Sequence, residues 1–563
     1  MEIVKSMNRI EGLNCKINEN KQLVHKIVVL LYCALHLFMT LFHEPWYDEA
    51  EAWQIARCAS VKDILFTIPH YEGHPPLWHL ILAIPAKLNF PYELSLSLIS
   101  LLFSALAVAL ILKYAPFPEW VKVFVPFTYF VFYQYSVIAR PYCMMMLAFV
   151  FMAITWQGRN TKPIEFVLSM AFLCLTSSYG IIIAGGISLV WLFGIIKEDG
   201  TKFLKDRRTH TLIGLLILAV LLMVEVMPYP DTSATAGKAV GDEVVKLPLK
   251  LLYVFLMMIP DTTLTRVLQS DTTGIEMSNM YMGAVPFACL IGILLWVIIV
   301  YQGSEKRTLA WFILPYTLFA LFGALVYFGG HHIGIALLFF VFWSWITANG
   351  DYDHKSESNQ TAEGIMRHII PFVTVLSLLI SCFWSLSSFA LDVRYDYYPS
   401  RSAAEFIKEN DLQEHNIMTS WREDKDKDGE ITLTDTNSIG GAVAIFPYFE
   451  HNIIYNAHKG EDALAYDTHK NASDAENEEN LNLWRSKGYP DVLYNSPNLD
   501  TVFGDGSESE MPEYVLVYEK PYGMVWKGTV ELYASTVYVR EELREELGLP
   551  EVEKNLEYYF HVR

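Results

Sequence analysis

From His43 to Leu80 the chain reads HEPWYDEAEAWQIARCASVKDILFTIPHYEGHPPLWHL. The stretch holds Asp48, Glu49, Glu51 and Glu72 beside His70, His74 and His79 and beside Trp46, Trp53 and Trp78. Adjacent carboxylates such as Asp48 and Glu49 can take a proton from a hydroxyl or bind a hard cation. Over WYDEAEAWQIAR the spacing is helical: Trp46, Ala50, Trp53 and Ala56 fall near one face, and Asp48, Glu51 and Gln54 turn elsewhere. Tryptophan favours the membrane–water interface, so this helix is expected to lie flat with its acids toward a cavity. A solvated amphipathic face would share that pattern. HYEGHPPLW narrows the choice by adding Glu72 and by setting His74 between Gly73 and Pro75 at a rigid Pro-Pro corner.

A second chemical signal is DKDKDGEITLTD. It puts Asp424, Asp426 and Asp428 at loop positions one, three and five, Gly429 at six, Glu430 at seven and Asp435 at twelve. That is the spacing of an EF-hand or dockerin-type calcium loop, in which alternating oxygens wrap a hard cation and glycine permits the sharp turn. The loop stands alone and ends in Asp instead of Glu, so a stabilising Ca2+ is expected here and not a catalytic one. A divalent cation at the first acidic cluster is a separate expectation.

The elements that must position these residues follow from hydropathy. With 53% hydrophobic residues in 563, and runs of apolar residues near membrane length, the chain reads as a polytopic α-helical membrane protein. Candidate spans are 26–43, 94–112, 120–137, 142–157, 164–177, 180–197, 211–227, 282–301, 309–328, 333–349 and 369–389, eleven in all. Polar residues precede the first run and no small-residue cleavage site follows it, so it is read as a retained span. Lys and Arg concentrate in alternate short loops, which puts residues 1–25 in the cytoplasm. The loop 44–93, Arg140, TSSYG, the 228–281 loop, GGHH and the C-terminal region then share the outer face. Pro75 to Phe90 is short for a span and is expected to lie in the interface. The stretch VVKLPLKLLYVFLMMIP, broken by Pro248, is expected along the outer surface.

The net charge of −20 is concentrated at one end. From Leu391 to Arg563 there are 35 Asp plus Glu against 16 Lys plus Arg, which leaves 27 against 26 for the rest. Residues 390–563 therefore form an acidic extracytoplasmic domain, and alternating helix-like and strand-like pieces make it α/β. All seven cysteines precede it, without metal-ligand spacing. An acidic chain also lacks the basic footprint of a nucleic-acid binder.

The Asp48–Glu49 pair a few residues beyond the first span, about twenty-five residues before EGHPPLWHLIL, resembles the GT-C superfamily of membrane glycosyltransferases, especially its protein O-mannosyltransferase and lipid A aminoarabinose transferase branch. SVIARPYCMMML is similar to the ARPY element of that superfamily, and LTSSYGIIIAGG and GGHHIGIALLFF are similar to its later outward loops. The resemblance covers 26–390, with its strongest motifs in 44–80 and 136–147. It implies a catalytic domain at 26–389 and transfer of a hexose or pentose, with inversion, from a polyprenyl-phosphate donor to a glycan, lipid or protein acceptor. Asp48 matches the catalytic base, Glu49 its companion and Glu72 a second acid near the sugar. The leaving lipid phosphate needs cations or hydrogen-bond donors. Arg140, His74, His331 and His332 are the outward basic candidates, with Tyr179 as a hydroxyl donor, and Arg140 leads because a guanidinium stays charged and grips two oxygens. Where relatives often open the second span with arginine, this chain has Glu93 and serines.

A polysaccharide polymerase or ligase is the nearest alternative reading. A transporter or calcium-sensing receptor is more distant, since transporters hold ionisable groups near the midplane of their spans. The location expected is a bacterial plasma membrane.

Overall fold

The computed structural model describes residues 12, 14–232, 247–267, 282–350, 360–419, 422–425, 431–434, 443–456, 470, 473–495, 499–504, 511–530 and 532–555. The principal helices are α1 Lys21–Met39, α2 Tyr47–Cys58, α3 Leu77–Lys87, α4 Tyr92–Tyr114, α5 Tyr142–Thr155, α6 Pro163–Cys174, α7 Ser178–Asp199, α8 Arg207–Glu225, α9 Val285–Glu305, α10 Leu309–Leu325, α11 Ile333–Ala348, α12 Gln360–Arg394, α13 Ser400–Glu409 and α14 Asp474–Ser486. Local chemistry sets several starts. The Ser177 hydroxyl accepts from Tyr179 N and the Asp206 carboxylate from Arg208 N, each satisfying a backbone donor that the first turn leaves open.

Among the described residues seven helices are long and apolar enough to cross a membrane: α1, α4, α7, α8, α9, α11 and α12. The segments expected at 142–157, 164–177 and 309–328 are shorter apolar helices. The expected span 120–137 is not one helix. It breaks into a helix over Glu119–Phe124, a 3-10 turn over Val125–Phe127 and a π-helix over Tyr129–Val137. Pro126 lacks an N–H and interrupts the α ladder at that point. α3 has 11 residues, about 16 Å at 1.5 Å per residue, well short of the hydrocarbon thickness. It packs Trp78, Leu82 and Ala86 into one cluster with Trp53 and Ala56 of α2.

The stretch around Pro248 is exposed at Pro248, Leu249 and Leu252 and turns inward beyond them. Its described part, Leu247–Leu252, a π turn over Tyr253–Met257 and Met258–Asp261, buries Tyr253, Val254, Met257 and Met258. The widened π turn leaves carbonyls available. Trp296 of α9 donates to Phe255 O, and Tyr316 of α10 donates to Val254 O. α7 and α10 also meet closely, since a Cβ at Gly186 would stand 2.6 Å from Pro315 Cα. Small residues at such crossings let backbones approach in the absence of a hydrophobic drive between helices.

The C-terminal region builds a four-stranded mixed sheet. β1 Ile417–Thr419 runs parallel to β4 Val492–Tyr494, and β8 Tyr533–Arg540 pairs antiparallel with both β4 and β5 Tyr514–Tyr522, in the order β1-β4-β8-β5. Ala403, Ala404 and Ile407 of α13 cover it, packing with Ile417, Val492, Val517 and Val537. β2 Arg422–Lys425 and β3 Ile431–Thr434 form a separate hairpin, and β6 Val525–Trp526 pairs with β7 Thr529–Val530 in another.

Candidate active site

α2 is capped by Trp46, directly after Pro45. Glu49, three residues into the helix, turns its carboxylate back to accept from Trp46 N at 3.2 Å, half of a capping box. The same buried carboxylate accepts from Ala139 N at 2.6 Å and lies 3.3 Å from His43 Nε2. Glu49 therefore joins the first turn of α2 to the segment beside Arg140. That segment is shaped by the π-helix, whose last bond runs from Ile138 N to Tyr133 O.

Asp48 and Arg140 meet on this frame, with Arg140 Nη1 2.8 Å from Asp48 Oδ2 and the side chains 12% and 26% exposed. The pair is sheltered but reachable. Arg140 lies between two rings, its guanidinium carbon 5.5 Å from the centroids of Trp46 and of Tyr142. Burial opposes its charge, yet the Asp48 carboxylate, with Tyr142, Tyr327 and Glu49 behind it, holds it above the ordinary arginine value. The Tyr142 hydroxyl and the Trp46 indole N–H are buried donors without a hydrogen-bond partner among the described residues.

The histidines arrive from two other elements. Gly330–His332 is a 3-10 turn that leads into α11, with the two imidazoles 4.1 Å apart. Gly329 N donates to His332 Nδ1 at 2.8 Å, which leaves Nε2 to carry the ring proton. The His332 ring lies 4.5 Å from Tyr179 and 6.1 Å from Tyr142, and Tyr179 donates to Tyr327 O. Ser178 donates to Gly73 O at 2.7 Å, which fastens the turn between Glu72 and His74 to the start of α7. Gly73 has φ 66°, a left-handed conformation that a side chain would strain. His74 and Arg140 both act electrostatically on His331 and His332.

Asp48, Glu49, Arg140, His74, Tyr179, His331 and His332 thus gather around one end of the helices. Glu72 closes the short helix Pro69–Glu72 just before Gly73. Of the acidic loop, Asp424 pairs with Thr432 in the β2–β3 hairpin, and Asp426, Asp428, Glu430 and Asp435 lie outside the described residues. Among the described residues no group of three or more His, Cys, Asp or Glu is arranged to hold a metal ion.

Further residues meet at the site that the sequence pattern did not place there. His43 Nδ1 lies 2.8 Å from Asp392 Oδ2, and Tyr133 donates to the same oxygen at 2.9 Å. Burial works against a charge on His43, but the carboxylates of Asp392 and Glu49 outweigh it and push the imidazole up to about 10. Glu93 receives Arg401 of α13 in a two-point contact of 2.8 and 2.7 Å and the Tyr448 hydroxyl at 2.5 Å. Arg401 N donates to Glu44, whose carboxyl is raised to about 8 by burial and by Asp396. His43 lies in the acidic stretch itself, at the end of the span expected over 26–43, and was not singled out there. Asp392 and Arg401 lie more than 340 residues away from the groups they meet at His43 and Glu44, a separation no spacing rule reaches.

Comparison of the chain with models of known protein families finds no match, and comparison with curated proteins finds none either.

Proposed function

We propose that the protein is a membrane glycosyltransferase that moves a sugar from a polyprenyl-phosphate donor to an acceptor hydroxyl on the outer face of the membrane, with inversion. The observation that carries this reading is the Asp48–Arg140 ion pair at 2.8 Å beside unpartnered buried donors. Displacement at an anomeric carbon needs a base for the incoming hydroxyl and a cation for the departing phosphate, and the pair supplies one of each.

The donor phosphodiester competes for Arg140, whose planar fork suits phosphate oxygens. As Arg140 turns to the phosphate, Asp48 loses part of its counter-charge and becomes more basic. The acceptor oxygen attacks the anomeric carbon as its proton passes to Asp48. The bond from that carbon to the phosphate oxygen breaks, and the electron pair leaves with the lipid phosphate, which gains one negative charge that Arg140 offsets. Tyr142 and Trp46 offer donors and ring faces to the sugar, and Glu72 and His74 border it from the Gly73 turn. His331, His332 and Tyr179 line the side toward α11. The loop at 424–435 is assigned to Ca2+ as a brace for the C-terminal region, apart from the transfer.

The test is transfer from a panel of radiolabelled polyprenyl-phosphate sugars in membranes carrying wild type or Asp48→Asn at matched expression. Wild type should transfer from one donor, and the variant should lose about 100-fold or more, the usual worth of a positioned base. Equal transfer by both would remove Asp48 from the mechanism. No transfer from any donor would reject the enzyme class.

A further inference from the structure

We propose that His43, clamped between Glu49 and Asp392, is a positioning residue for this transfer: it holds the first turn of α2 so that Asp48 stays in register with Arg140, and it ties that turn to the end of α12. The inference rests on the transferase reading for its kinetic consequence and on geometry for the rest.

Asp48 directly precedes Glu49 and Arg140 directly follows Ala139, and the Glu49 carboxylate takes the N–H of Ala139 as well as that of Trp46. The register of base and cation is thus set through Glu49. One oxygen of Glu49 accepts from Ala139, and the other faces both Trp46 N and His43 Nε2. On its far side His43 meets Asp392, a carboxylate only 1% exposed. Asp392 Oδ2 is taken by His43 and Tyr133, while Oδ1 is buried with no hydrogen-bond partner among the described residues. Two buried carboxylates therefore share one imidazole as the cation in direct contact with them, and a buried charge left uncompensated is costly.

The groups facing His43 come from every neighbouring element. Glu44 and Glu49 belong to its own stretch, and Asp392 and Tyr397 approach from α12 and the residues after it, with the Tyr397 ring at 4.9 Å. His36 of α1 and Glu93 of α4 line the same small cavity. Arg401 reaches the His43 carbonyl at 3.3 Å, not the ring. Among these contacts the imidazole itself meets carboxylates and no cation. Since α12 leads directly into the C-terminal region, the pair also makes the seating of that region part of the catalytic register.

The experiment uses the full chain in lipid nanodiscs with His43→Gln, Asp392→Asn and the double variant. Two readouts are taken: kcat and KM with the donor that wild type accepts, and carbodiimide labelling of Asp48 measured by mass spectrometry. With Asp48 displaced by about an ångström, kcat should fall about 100-fold while KM for the donor stays within about threefold. Labelling of Asp48 should rise, and the double variant should lose no more than the worse single one, because both act through one pair. Unchanged kcat in either folded variant, or a change confined to KM, would overturn the proposal. If wild type transfers no sugar, the transferase reading fails by itself and the labelling decides: raised labelling supports the clamp, unchanged labelling overturns it. Should His43→Gln not fold, Asp392→Asn keeps the side-chain shape and carries the same readouts.

Discussion

The hairpin of β6 and β7 should be held to the helical region by a single buried charge pair. Lys527 and Gly528 form its two-residue turn with φ 42° and 77°, the left-handed pair of a type I′ turn. This turn drives the Lys527 ammonium into the protein, fully buried, 3.0 Å from Asp261 Oδ1 and 2.9 Å from Thr265 O, with Asp261 O as a third acceptor. Trp526 beside it packs edge-on against Tyr129 at 5.5 Å and Phe130 at 6.1 Å of the π-helix. Lys527→Met keeps the stem and removes the charge. Asp261 would retain the Tyr253 hydroxyl at 2.9 Å and Val267 N at 3.0 Å but lose the Lys527 ammonium. Removing one partner of a buried pair costs about 3–5 kcal/mol, and the donors that stay on Asp261 put this case at the low end, about 3 kcal/mol. Lys527→Met combined with Asp261→Asn removes both members of the pair and should recover most of the loss. The assay is thermal unfolding of the nanodisc-embedded protein, with limited proteolysis reporting release of the C-terminal region. Equal stability of the single and double variants, or no loss in the single one, would refute the idea that charge pairing seats the hairpin.

The pH dependence has a definite sign. His43, raised to about 10 from an ordinary 6.5, contributes stability that is complete below about 6.5 and is lost as pH rises through about 10. Glu44, raised to about 8 from 4.5, is held protonated in the fold and costs stability progressively from about 4.5 to 8. The thermal midpoint should therefore fall between pH 6.5 and 10, and Glu44→Gln should flatten its share; a midpoint that rises with pH would contradict both. Arg401→Lys keeps the charge but loses the two-point grip on Glu93. With both side chains 23% exposed, about 1 kcal/mol is expected, measurable in a double-mutant cycle with Glu93→Gln. Gly186→Ala forces a Cβ to 2.6 Å from the Pro315 backbone, so α7 and α10 must part. The loss should be about 1–3 kcal/mol, seen as a lower yield of monodisperse protein.

Hydropathy and local chemistry alone marked most helices, because an apolar run of membrane length and a capping residue act within a few turns. The acidic start at Leu391 likewise marked where α12 gives way to a mixed sheet, and the 44–80 stretch announced a cluster of acids and histidines before any contact was known. Tertiary packing decided what those local cues could not carry. It wound Tyr129–Val137, beyond the local break at Pro126, as a π-helix, and it turned Tyr253–Met258 inward, where Trp296 and Tyr316 meet the freed carbonyls. It also chose the partners of the buried charges: Asp392 for His43, Arg401 for Glu93 and Asp261 for Lys527. A helix or a cap is written in neighbours along the chain, whereas a buried charge takes whatever counter-charge the topology brings within about 3 Å, and that depends on the whole fold.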